Sequence, residues 1–137
     1  MTVNSGIQVV NNEFYSAWFA PEYKMIHHMW KRYTTGETWR SNMTAAADAF
    51  EQYHCDRWLS DDRRFLGTLS QEDWAWGDVN FSKRCRDLGW KYFAMVLPKS
   101  GMAKVSIRAV CNAFSAHGVE TEAFTEYRKA FFGIMGK

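Results

Sequence analysis

Two prolines and three cysteines in 137 residues leave little to constrain this chain covalently. Cys55, Cys85 and Cys111 are odd in number and widely spaced, with no Cys-x-x-Cys pair, so they read as reduced thiols rather than a disulfide framework or a zinc cluster. An excess of one charge is missing too. With 17 basic and 15 acidic residues the net charge is +2, and the basic residues are scattered, so no nucleic acid or anionic membrane is expected as the main partner. No apolar run approaches the roughly 18 residues of a membrane helix, and the opening MTVNSGIQVV has no basic region followed by an apolar one, so a cytoplasmic protein without a membrane span is expected by default. The Gly-x-x-x-x-Gly-Lys-Ser/Thr pattern of a phosphate loop is absent, and no cofactor or metal is expected.

Aromatic residues are abundant instead. Seven Trp, six Tyr and ten Phe make up 17% of the chain, more than so small a core comfortably encloses, so some should reach the surface or a pocket. The length suits one domain. Its centre is expected at Tyr92 to Leu97, six apolar residues in a row, which reads as a strand buried on both faces. Pro98 ends the run, and Lys99, Ser100 and Gly101 turn the chain into a helical pattern.

Ile7 to Val10, Phe14 to Phe19 and Lys24 to Trp30 read as an antiparallel hairpin with an extra edge strand before it. Thr34 and Glu37 fit a capping box, and Trp39, Met43, Ala46 or Ala47, Phe50 and Tyr53 recur on one helical face. Arg57 to Ser60 is a short strand. Leu69 and Trp74 flank Ser70 as a hydrophobic staple, so a second helix should start at Ser70 and close at Gly89. A third helix from Met102 carries Val105, Ala109, Ala113 and Ala116 and stops at Gly118; Val119 to Phe124 is an edge-like strand, and Thr125 caps a last helix. The order βββαβαβαβα predicts a single α/β domain, with a mixed, mostly parallel sheet, an N-terminal antiparallel hairpin and helices on both faces.

Four segments carry a family likeness: Asn12-Glu13-Phe14 at the hairpin, Trp58 to Phe65 with its acidic loop, Val96-Leu97-Pro98-Lys99, and Val119 to Phe124 followed by Ala130-Phe131-Phe132. With the element order they resemble the STAS-like family, which includes sulfate transporter tails and anti-sigma-factor antagonists and shares its architecture with lipid-binding Sec14-type domains. The resemblance implies a stand-alone bacterial regulatory or interaction module. In the antagonists a serine in an Asp-Ser-Ser/Thr-Gly run is phosphorylated; here the segment from Asp61 to Ser70 has no Asp-Ser pair, and only Thr68 or Ser70 stands in.

Each constellation has a plainer reading beside it. Ser70 as a regulated hydroxyl competes with Ser70 as an N-cap, which its neighbours already explain. Asp61 and Asp62 with Arg63 and Arg64 suggest an acid/base pair or a metal site, but more simply a solvated loop with local ion pairs. His27 and His28 alternate on a strand and must face opposite sides, so they cannot share a metal. His54-Cys55 lacks further ligands, and Lys99-Ser100-Gly101 reads as a turn before it reads as an anion cradle. The seven tryptophans either line an apolar pocket or make up core and a dimer face, with Trp76 the best candidate for an exposed anchor.

No nucleophile, base and orienting group can be picked out, so the expectation leans away from an enzyme. The first expectation is a protein-interaction module acting as a homodimer through the hairpin edge, and the second a carrier or sensor of a small apolar ligand in a Trp-lined pocket. Both place function at the carboxyl ends of the strands, where Tyr33, Asp61, Arg63, Pro98 and Ser100 should converge.

Overall fold

The computed structural model describes residues 6–99 and 101–137. Six strands form one sheet in chain order: β1 (Ile7–Asn11), β2 (Tyr15–Ala20), β3 (Met25–Trp30), β4 (Arg57–Asp61), β5 (Tyr92–Val96) and β6 (Glu120–Phe124). The first three pair antiparallel and the last four parallel, which gives the mixed sheet with an N-terminal hairpin that the sequence predicts. Parallel neighbours need long crossovers. These are α1 (Gly36–Gln52), the segment α2 (Gln71–Gly77) to α3 (Arg84–Asp87), and α4 (Gly101–Ala116). Crossovers of one hand between successive neighbours lay their helices on one face. There Ile26, Trp58 and Phe93 stand side by side in register and pack with Trp39 and Phe50 of α1 and Phe114 of α4. The last helix, α5 (Tyr127–Met135), covers the other face, with Ala130, Phe131 and Ile134 on Met25, Leu59, Ala94 and Val96.

Ser70 caps α2 as expected, its hydroxyl accepting from the Asp73 N–H at 3.1 Å. A π-helical turn, Asp78–Lys83, joins α2 to α3 without a break, and Gly89 ends the segment at φ +102°. The Thr34–Glu37 capping box does not form. The helix begins at Gly36, Thr34 turns its hydroxyl to the Arg32 carbonyl, and the Gly36 N–H is taken at 2.9 Å by Asp73 of α2, a tertiary cap that no local pattern reveals. In α5, likewise, Glu126 rather than Thr125 stands at the N-cap, without a side-chain bond.

The core face of α4 also differs from the expected one. Ala103, Ile107 and Phe114 are buried, whereas Val105 is 66% exposed and Ala109, Ala113 and Ala116 are exposed. Two positions along a helix is a rotation of about 200°, so choosing the small-residue stripe selected the opposite face. The bulk of Phe114, edge-on to Trp90 at 5.0 Å, decides the orientation.

Candidate functional site

A cavity of about 500 Å³ lies between the sheet and the helices of its first face. Its floor is strand residues His28, Trp30, Trp58, Ser60, Phe93 and Met95. Trp39 and Met43 of α1 close one side, Trp74 of α2 and Phe81 of the π turn another, and Ile107, Val110 and Phe114 of α4 the third. The aromatic excess is spent here. Trp58 meets Phe81 edge-on at 4.9 Å, Trp90 backs Phe81, Phe93 and Phe114, and Trp39 meets Trp76 at 5.8 Å. Gly77 is required in this wall, since a Cβ there would stand 2.9 Å from the Trp39 ring.

Besides Gln71, Asp78, Ser82 and His117 in its walls, this largely apolar box has a chain of polar groups along its floor. Trp58 Nε1, which can only donate, lies 3.1 Å from His28 Nδ1, so Nδ1 is an acceptor and the proton sits on Nε2. Tyr15 Oη, 2.7 Å from the same Nδ1, therefore also donates to it. His28 Nε2–H in turn donates to Ser60 Oγ at 2.7 Å, and Ser60 donates to Asp62 Oδ2 at 2.8 Å. Burial, with a small contribution from His27, holds His28 well below the usual imidazole range, so it stays neutral. Asp62 is 4% exposed, and burial pushes its carboxyl up to about 7; the Ser60 bond opposes that rise and the charge of Asp61 adds to it. Ser, His and Asp are all present, yet the hydroxyl stands between the other two. His28 gives Ser60 a proton bond rather than taking one, so it cannot act as the base of a serine nucleophile in this arrangement.

The sequence-derived site residues divide between the two sheet faces. Asp61 and Asp62 diverge from adjacent positions, and neither is solvated: both are buried, contrary to the loop reading, because β4 runs on through Asp61. Asp61 turns to the α5 face and holds Arg63 through Nε at 2.9 Å and Nη2 at 2.7 Å, the local ion pair that was expected. Arg63 lies over the Tyr127 ring. Asp62 alone enters the cavity. Tyr33 and Thr68 meet, the tyrosine hydroxyl donating to the Thr68 carbonyl, with the ring across Gly67 and edge-on to Phe65, which lines the cavity. Ser70 is engaged as a cap. Trp76 is half-buried between Trp39 and Arg40, not an exposed anchor. Pro98 is buried and Lys99 exposed, while Ser100 lies outside the described residues.

Sequence reasoning missed Tyr15 and Ser60, and it singled out His28 only to place it on the face opposite His27, as it is; the alternation that joins the three on adjacent strands becomes visible only once the register is known. On the opposite face His27 stacks on Trp18 at 5.2 Å and lies against Tyr127. Both its ring nitrogens are buried without a hydrogen-bond partner among the described residues, and burial pushes its pKa down to about 4. Burial also pushes the Cys55 and Cys85 thiols up to about 12, which leaves neither as a thiolate nucleophile near neutrality. Among the described residues no three His, Cys, Asp or Glu side chains are grouped to hold a metal, and no helix is long and apolar enough to cross a membrane. Comparison with known proteins returns no match, whether to a family model, a curated protein or a solved structure.

Proposed function

We propose that this chain binds a small apolar ligand as a carrier or sensor. The cavity is the observation that carries the reading. Its volume of about 500 Å³ falls within the roughly 300–1,000 Å³ of ligand sites, and its walls are aromatic and aliphatic with a few convergent polar groups at the floor. An interaction module needs no such void, and a close-packed core would ordinarily fill it. That weighs the carrier above the module. Native mass spectrometry of protein purified from its own host tests this directly: a co-purifying small molecule supports it. Val110→Trp, which fills the cavity from α4, should abolish uptake of an environment-sensitive dye while leaving the melting temperature unchanged or higher. Undiminished dye binding in that variant would remove the cavity as the site.

The STAS-like relationship is supported by the element order and the sheet topology. A dimer is favoured by one feature, the β1 edge, where Ile7 is 47% exposed beside unpaired strand groups. Sedimentation at tens of micromolar distinguishes dimer from monomer.

A further inference from the structure

At the floor of the cavity the charge is one-sided. Among the described lining residues there is no Lys or Arg; two carboxyls, Asp62 and Asp78, are present, and the basic side chain there is His117, exposed just past the end of α4. A fatty acid, a phosphate ester or any other anion that reached the floor would bury its charge against the Asp62 carboxyl with no Lys or Arg to pair with it. The ligand's polar end is therefore neutral or positive.

The hydrogen-bond chain settles which. Tyr15, His28 and Ser60 each donate towards the next group, and the last donation falls on Asp62 Oδ2. Aligned donors reinforce one another, and here they stabilise negative charge on Asp62 alone. The backbone fixes that carboxyl in place: the Asp62 N–H donates to Val96 O at 3.0 Å and its carbonyl accepts from Phe65 N–H at 3.0 Å. A carboxyl fixed at the floor of a box walled by Trp30, Trp58 and Phe65 is, in its ionised form, complementary to an ammonium group, which takes an ion pair from the carboxylate and cation–π attraction from the rings.

We infer that the ligand is a compact apolar amine, bound as its ammonium ion with Asp62 as counter-ion and the aromatic walls around its hydrocarbon part. This rests on the cavity being the ligand site. When Asp62 is protonated beforehand, an incoming ammonium displaces that proton to solvent, and an incoming free amine takes it up; either route ends in the same ion pair.

Three probes of one shape test the inference by calorimetry: 1-naphthylmethylamine, 1-naphthylmethanol and 1-naphthoate. The expected order is amine tightest by at least tenfold, alcohol next and carboxylate weakest. In Asp62→Asn the amine-to-alcohol ratio should fall towards one. If that variant does not fold, the wild-type protein still decides. With carboxyl carbons of aspartate labelled by 13C and the sample held near pH 6, the amine should move the Asp62 signal to its carboxylate position and the alcohol should not. Alcohol binding as tightly as amine overturns the inference and leaves the cavity as the ligand site. Failure of all three probes to bind overturns both.

Discussion

Ser60 donates its hydroxyl proton to Asp62 at 2.8 Å, two residues further along the same chain segment. The contact is possible because residues two apart on an extended chain share a face, so Asp62, just past the end of β4, enters the cavity that Ser60 lines. Ser60 is thus both the acceptor for His28 and the donor for Asp62. Ser60→Ala should leave the buried His28 Nε2–H unpaired and cost about 1–3 kcal/mol in urea unfolding. It should also raise the Asp62 pKa further, because the bond it removes opposes the effect of burial. A 13C titration of the Asp62 carboxyl reads the second effect apart from the first.

Asp62 also shapes the pH dependence of stability. Its folded pKa, about 7, lies above the ordinary carboxyl value of 3.8, so its contribution is fully present below about pH 4 and is lost as pH rises through 7. His27 and His28 act in the opposite sense. Their folded values are depressed, that of His27 to about 4, so each favours the fold above pH 6.5 and ceases to as pH falls. The slopes oppose one another between pH 4 and 6.5. Asp62→Asn removes the falling one, so its stability should rise with pH more steeply than that of the wild type across pH 4 to 7. Parallel profiles for the two proteins would contradict the assignment.

Local signals explain which parts of this fold were readable from the sequence. The strands announced themselves because apolar runs such as Tyr92 to Leu97 have few alternatives, and Ser70 and Gly89 mark the ends of their helices by chemistry that acts over a few residues. The start of α1 was misread because its cap, Asp73, is 37 residues away. The core face of α4 was misread because small residues at helical spacing look like a packing stripe, whereas one Phe114 outweighs them. The site was hidden for a related reason. Tyr15, His28 and Ser60 are ordinary strand residues until three strands are set side by side, and Asp62 looks solvated until β4 extends past Ser60.

Ser70→Ala tests the cap. The hydroxyl accepts from Asp73 N–H, and Asp73 in turn accepts from Gly36 N–H and from Arg40 Nε at 2.9 Å. Burial pushes Asp73 up, but these donors outweigh it and hold its carboxyl below the usual range. Loss of the hydroxyl should cost about 1 kcal/mol. Asp73→Ala should cost more, because it leaves the Gly36 N–H without its partner at the start of α1 and breaks the contact between α1 and α2. Equal losses in the two variants would mean that the tertiary cap adds nothing.

His27 gives the last prediction, one in which a substitution should improve the protein. A buried imidazole with neither nitrogen bonded has given up hydration without replacement, at a cost of about 1–3 kcal/mol. Its ring is nonetheless well packed, stacked on Trp18 and tilted against Tyr127. Phenylalanine keeps that aromatic contact, adds little volume and has no polar atom to satisfy. His27→Phe should therefore raise the urea midpoint at neutral pH. It should also reduce the loss of stability on acidification between pH 6.5 and 4, the interval over which the wild-type imidazole is protonated in the unfolded chain but not in the folded one. His28 provides the contrast, since the same exchange there removes the acceptor for Tyr15 and Trp58 and the donor to Ser60. His28→Phe should destabilise. If both substitutions destabilise equally, His27 has a polar partner in solution and the gain will not be found.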